Sequence, residues 1–101
     1  MDLNQITPLI LTFNESANIA RTLASLRWAP RIVVLDSEST DNTIDLAGTF
    51  PNVGVHHRPF DTHSAQWNHG LTLVQTDWVL AFGDGETRVR EGRYGLEPAG
   101  P

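Results

Sequence analysis

Apolar residues fall along this chain in short blocks of two kinds, and the two kinds alternate. The run ITPLILTF at 6–13 has the length of a strand, with its proline near the start, where a missing N–H is tolerated. RIVVLD at 31–36 is continuous and β-branched, the pattern of a strand covered on both faces. VGVHH at 53–57 and DWVLAF at 77–82 supply two more strands. Between the first two strands, Ile19, Leu23 and Leu26 recur at helical spacing and predict a helix over 16–27, capped by Asn14 or Ser16. Ser39 or Thr40 is placed to cap a second helix, with Asp41 in its first turn and Ile44, Ala47 and Phe50 facing inward. A third helix spans SAQWNHGLTLV, although Gly70 inside it is a poor helix former. Strand and helix thus alternate three times before a closing strand. This predicts an α/β fold, a Rossmann-like three-layer sandwich with a mostly parallel sheet of about four strands.

The pattern stops at residue 83. The stretch GDGETRVREGRYGLEPAGP holds five of the eight glycines and two of the six prolines and has no apolar period. The expected organisation is one domain over 1–82 followed by a mobile tail over 83–101. A chain of 101 residues with 40% apolar content is enough for one small core.

Charge narrows the function classes. Seven Lys and Arg stand against twelve Asp and Glu, a formal charge of -5, so there is no basic face for nucleic acid. The absence of cysteine excludes disulfides, thiolate metal sites and a cysteine nucleophile. No apolar run reaches membrane-spanning length, and the N-terminus carries Asp2 where a secretion signal would be basic. The expected location is cytoplasmic, at most peripheral to the inner face of the membrane.

In a parallel sheet, ligands bind beyond the carboxyl ends of the strands. Three strands here end in polar groups: TFNE at 12–15, DSEST at 36–40 and GDGE at 83–86. An Asp at a strand end can accept hydrogen bonds from a ribose or a base N–H, and the free N–H groups opening the next helix favour anions. Ser39, Thr40 and Asp41 read as a helix cap, whereas Asp36, which precedes the cap, reads as a ligand contact.

Taken together these segments resemble the family 2 glycosyltransferases. LILTFNESANIARTLASL is similar to the family's opening strand, Tyr-Asn-Glu turn and first helix, with Phe13 in the tyrosine position. IVVLDSESTDNT is close to its Val-Val-Asp-Ser-Gly-Ser-Thr-Asp-Gly-Thr segment, with Glu38 and Asn42 where glycines are common. AQWNHGL resembles the Gln and Asn helix beneath the donor site, and TDWVLAF the strand that leads into the metal motif.

The resemblance implies half of a GT-A fold that binds a nucleoside-diphosphate sugar, UDP-linked, for transfer to a glycan or lipid-linked acceptor in cell-surface glycan synthesis. By that carry-over Thr12, Asn14 and Glu15 line the nucleotide pocket, Asp36 binds the nucleoside, and Gln66 with Asn68 supports the donor side. The family ends this strand with Asp-x-Asp, and a gapless match lays Gly83, Asp84 and Gly85 over it. A one-residue slip offers Asp84 and Glu86 as oxygen ligands for Mg²⁺ or Mn²⁺; the alternative reading is two solvated charges in a glycine-rich tail. The family's acceptor half and general base lie downstream of this motif, so no catalytic residue is assigned, and the chain alone is expected to turn over poorly. The uncovered flank of the sheet is then a surface for a homodimer.

Two other readings fit parts of the chain. One is a non-catalytic nucleotide-binding or interaction module. The other is a metal-dependent adhesion domain of the von Willebrand factor A type, in which Asp36, Ser37, Glu38, Ser39 and Thr40 would hold Mg²⁺. The four histidines cannot be gathered at one metal site by spacing, but His63 could meet donor phosphates where relatives carry a basic residue before the helix glutamine. Trp28, Trp67 and Trp78 read as core or rim packing, with Trp67, beside Gln66 and Asn68, the exception that could act as a sugar platform.

Overall fold

A computed structural model describes residues 3–83 and 86–91, with the side chains of 3–82. After a 3-10 turn at Leu3–Gln5 come β1 (Ile6–Thr12), α1 (Ile19–Ala24), β2 (Ile32–Asp36), α2 (Thr43–Ala47), β3 (Val53–His57), α3 (His63–Thr72), β4 (Trp78–Gly83) and β5 (Glu86–Glu91). The sheet runs β3-β2-β1-β4-β5, with the first four strands parallel and β5 antiparallel on β4. The expected α/β sandwich and its parallel sheet are therefore present, with one strand added.

Alternation along β1 and β2 divides the core into two layers. Ile10 and Val34 are register partners and share one face with Ile19, Leu23 and Leu26 from the α1 segment and Ala47 from α2. Leu9 and Val33, the neighbouring pair, point to the other face, where Val74, Val79 and Ala81 join them beneath α3. Continuous apolar runs are what a sheet buried on both sides requires, and all five residues of β2 are buried.

Gly70 is explained by proximity. A Cβ there would lie 2.9 Å and 3.0 Å from the two methyl carbons of Leu9, so only glycine lets α3 approach β1 this closely. Trp67 is half-buried and packs against the Leu9 and Val33 layer, in keeping with a packing role.

Helix ends depart from the sequence reading. α1 is shorter than 16–27. Before it, the Glu15 carbonyl accepts the N–H groups of Asn18 and Ile19; after it, Leu26 and Ala29 bond back three residues, tightening the chain out of the α-helix. The N-cap position is Asn18, and no side chain caps it. α2 starts at Thr43 with Asn42 at the N-cap position, and the Ser39 and Thr40 side chains are engaged instead with Asp36 and Asn14.

The stretch expected to be a tail includes β5, in which Glu86 pairs with Gly83 and Glu91 with Trp78. Composition concealed a hairpin signature: an Asp-Gly pair followed by ETRVRE, where Thr87 and Val89 alternate with charged residues. Residues 92–101 lie outside the described residues.

Candidate functional site

The carboxyl ends of β1 and β2 are bound together by their own polar side chains. Three successive N–H groups of the loop after β1 are each accepted by the segment from the loop after β2 to the first residue of α2: Asn14 N–H by Ser39 Oγ at 2.8 Å, Glu15 N–H by Thr43 Oγ1 at 2.8 Å, and Ser16 N–H by Asp41 Oδ2 at 3.2 Å. In return Asn14 Oδ1 accepts the N–H groups of Thr40 at 2.8 Å and Asp41 at 3.3 Å. Asn14 takes a left-handed φ of 52° to do this, a conformation that asparagine tolerates better than most residues. These donors are used internally, so the loop offers no row of free N–H groups to an anion.

Asp41 closes the lacing. It accepts the hydroxyl and the N–H of Thr43 as well as the N–H of Ser16. The Thr43 hydroxyl bond is the largest influence holding its pKa down to about 2, with the Thr43 and Ser16 backbone bonds adding to it.

Asp36 lies behind this lacing, 0% exposed. Its Oδ1 accepts the hydroxyls of Thr12 and Ser39, both at 2.6 Å, and its Oδ2 accepts Ser39 N–H at 2.7 Å. This carboxylate, the expected nucleoside contact, is enclosed and hydrogen-bonded to its own chain.

A pocket of about 350 Å³ opens in front of it, lined by Leu11, Thr12, Phe13, Glu15, Ser37, Phe60, His63 and Gln66. Three of the residues expected at a nucleotide site, Thr12, Glu15 and Gln66, are thus brought together, and His63 joins them. Asn14 and Asp36 support the wall from outside it, and Asn68 is exposed and not part of its lining. Phe13 and Phe60 stay half-exposed at 56% and 52%, and Phe60 meets the His63 ring edge-on at 5.5 Å.

Gln66, from the first turns of α3, is fully buried and joins three elements. Its Nε2 donates to Ser37 Oγ at 2.9 Å and to the Arg58 carbonyl at 3.0 Å, while its Oε1 accepts from Arg58 Nη1 at 2.8 Å. Arg58 also donates from its backbone to Asp36 O and pairs with Asp61, whose carboxyl it holds below the usual range. Sequence reasoning misses Arg58 and places Ser37 only in the adhesion-type metal site. The available signal was positional: Phe13, Ser37 and Arg58 are the first residues beyond three adjacent strands.

Asp84, one of the two residues expected to hold a cation, lies outside the described residues, as does the side chain of Glu86. Among the described residues, no group of three or more His, Cys, Asp or Glu is arranged to hold a metal ion. Nor is any helix among them long and apolar enough to cross a membrane.

Comparison with known proteins agrees with this architecture. The profile of glycosyl transferase family 2 matches residues 9–85. An uncharacterized glycosyltransferase of Rickettsia prowazekii is 34% identical over 79 residues, covering 77% of this chain and 27% of that protein. One from Rickettsia bellii is 32% identical over 88 residues, covering 86% of this chain and 30% of that protein. The chain therefore spans less than a third of the length of these relatives. Among solved structures, glucosyl-3-phosphoglycerate synthase from Mycobacterium tuberculosis, crystallised with Mn²⁺, uridine diphosphate and phosphoglyceric acid, superposes with a TM-score of 0.68 at 22% identity, covering 77% of this chain and 32% of that one. TarS 1-349 of S. aureus gives 0.62 at 23% identity, covering 77% and 26%. The adhesion-domain reading of DSEST falls with this match and with the Ser39 side chain, which is bound to Asp36 and Asn14. A profile match over three-quarters of the chain, relatives above 30% identity and a shared sheet place this chain in glycosyltransferase family 2.

Proposed function

We propose that the pocket binds a nucleoside-diphosphate sugar, UDP-linked, as donor for glycosyl transfer to a glycan or lipid-linked acceptor in cell-surface glycan synthesis, on the cytoplasmic side. One observation carries this reading. The pocket opens at the carboxyl ends of β1 and β2, beside the point where the strand order 3-2-1-4 turns back across β1, which is where open parallel sheets bind ligands. Its volume and lining suit a small ligand with a flat part. Phe13 and Phe60 offer ring faces, and Thr12, Ser37, Glu15 and Gln66 offer a few polar groups.

The Mycobacterium synthase bound to uridine diphosphate and Mn²⁺ supports the choice of ligand. For the cation, two carboxylates separated by one residue are suitable oxygen donors. Because β4 is parallel to β1, the Gly83–Glu86 pair falls at the same end of the sheet as the pocket. We assign Asp84 and Glu86 to hold Mg²⁺ or Mn²⁺, which when bound would offset diphosphate charge. Asp36 and Asn14 act from behind, fixing the two loops that form the wall.

Calorimetric titration of uridine diphosphate with and without Mn²⁺ tests the proposal. The expected result is saturable one-site binding that Mn²⁺ tightens and that Asp84→Ala uncouples from the metal. Absence of heat with uridine, guanosine and cytidine diphosphates alike would overturn it.

A further inference from the structure

Gln66 and Arg58 fix the hydrogen-bonding sense of one pocket hydroxyl. An amide side chain can be placed either way round, but here its partners decide. The guanidinium of Arg58 can only donate, so it must meet Gln66 Oε1; the Arg58 carbonyl can only accept, so it must meet Nε2. The remaining Nε2 hydrogen is directed at Ser37 Oγ, 2.9 Å away. A hydroxyl that accepts along one direction cannot aim its own proton there. Among the described residues, no acceptor takes that proton, and Ser37 is in the pocket wall.

We propose that Ser37 is a fixed donor in this pocket, set by Gln66 as a positioning residue, and that it selects a ligand presenting a nucleobase carbonyl oxygen at that point. The inference rests on the nucleotide reading of the pocket. A base carbonyl is chosen over a phosphate because the wall includes the rings of Phe13 and Phe60 and, among the described residues, no Lys or Arg side chain. Gln66→Glu reverses the arrangement. A carboxylate can only accept, so the Ser37 hydroxyl would turn to donate to it and be lost to the ligand, while the Arg58 guanidinium would keep its partner and the Arg58 carbonyl would lose its donor.

The test is titration of the full chain with uridine diphosphate and with its 2-thio and 4-thio analogues, whose sulfur is a weaker acceptor than oxygen. Wild type should bind one thio analogue about five- to tenfold more weakly than the parent. Ser37→Ala should bind uridine diphosphate five- to tenfold more weakly and treat parent and analogue alike. Gln66→Glu should give the same loss, and the double variant no further loss. Unfolding midpoints of each variant show that the fold persists, and Ser37→Ala alone is sufficient to decide. Unchanged affinity in Ser37→Ala, or a thio preference that survives it, overturns the inference while leaving the nucleotide pocket intact. Failure of wild type to bind any nucleoside diphosphate removes both.

Discussion

Thr12 donates its hydroxyl to Asp36 Oδ1 at 2.6 Å across the parallel pair β1 and β2, and the two residues are 2% and 0% exposed. They are also register partners, so the last rung of the ladder is closed through side chains as well as backbone. A carboxylate so deeply placed is tolerated because three donors reach it.

Removing that acceptor should therefore appear as lost stability. Asp36→Ala leaves the Thr12 hydroxyl, the Ser39 N–H and the Ser39 hydroxyl without their acceptor and should cost about 2–4 kcal/mol. Thr12→Val deletes a single donor and should cost about 1–3 kcal/mol. Urea unfolding midpoints measure both. An Asp36→Ala chain as stable as wild type, with only ligand affinity lost, would mean that the carboxylate serves the ligand and not the loops.

Lacing by Asp41 predicts a pH dependence. Its pKa in the folded chain is about 2, below the ordinary 3.8, because Thr43 and Ser16 donate to the charged form. The folded state thus binds the proton less readily than the unfolded state. The stabilisation is fully present above pH 4 and is lost as pH falls from about 4 towards 2. Asp41→Asn should flatten this part of the stability profile. An unaltered profile between pH 4 and 2 in that variant would show that the Thr43 and Ser16 bonds do not persist in solution.

Glu38 and Asn14 both have positive φ, 64° and 52°, but only one of them uses its side chain there. Glu38 is exposed and occupies a position where glycine removes the left-handed penalty of about 1–2 kcal/mol, partly offset by about 0.5–1 kcal/mol of added unfolded-state freedom. Glu38→Gly should stabilise by up to about 1 kcal/mol. Asn14→Gly relieves the same penalty but deletes the acceptor of the Thr40 and Asp41 N–H groups, and should destabilise by about 1 kcal/mol. Thermal unfolding of the pair should move in opposite directions, and a shift of the same sign would refute the assignment.

What could be read from sequence follows the range over which each feature is encoded. Leu9, Ile10, Val33 and Val34 disclose a doubly covered sheet because alternation is local and strands are short. The family resemblance adds the pocket's neighbourhood, since TFNE and DSEST lie at strand ends that a parallel sheet must bring to one edge. Which way Asp36 turns was not legible. Facing Thr12 or facing solvent depends on a register between residues 24 positions apart. The lacing of 14–16 to 39–43 is likewise non-local, so Ser39 and Thr40 read as helix caps, the commoner local use of such residues. β5 escaped because a tail and a hairpin share glycine-rich composition and differ only in the alternation behind it.

Packing of α3 on β1 yields the last prediction, in which two effects oppose each other. Alanine at position 70 would favour the helix by about 1 kcal/mol over glycine. Its methyl, however, would lie about 3 Å from both methyl carbons of Leu9, a side chain that is wholly buried. Overpacking of this kind costs roughly 1–3 kcal/mol. The steric term should win, leaving Gly70→Ala about 1 kcal/mol less stable. Shortening the obstructing side chain supplies the control: in a Leu9→Val background the same substitution should be neutral or stabilising, because the contact is gone and the helix preference remains. Equal effects of Gly70→Ala in the two backgrounds, measured as urea midpoints, would show that the cost does not come from Leu9.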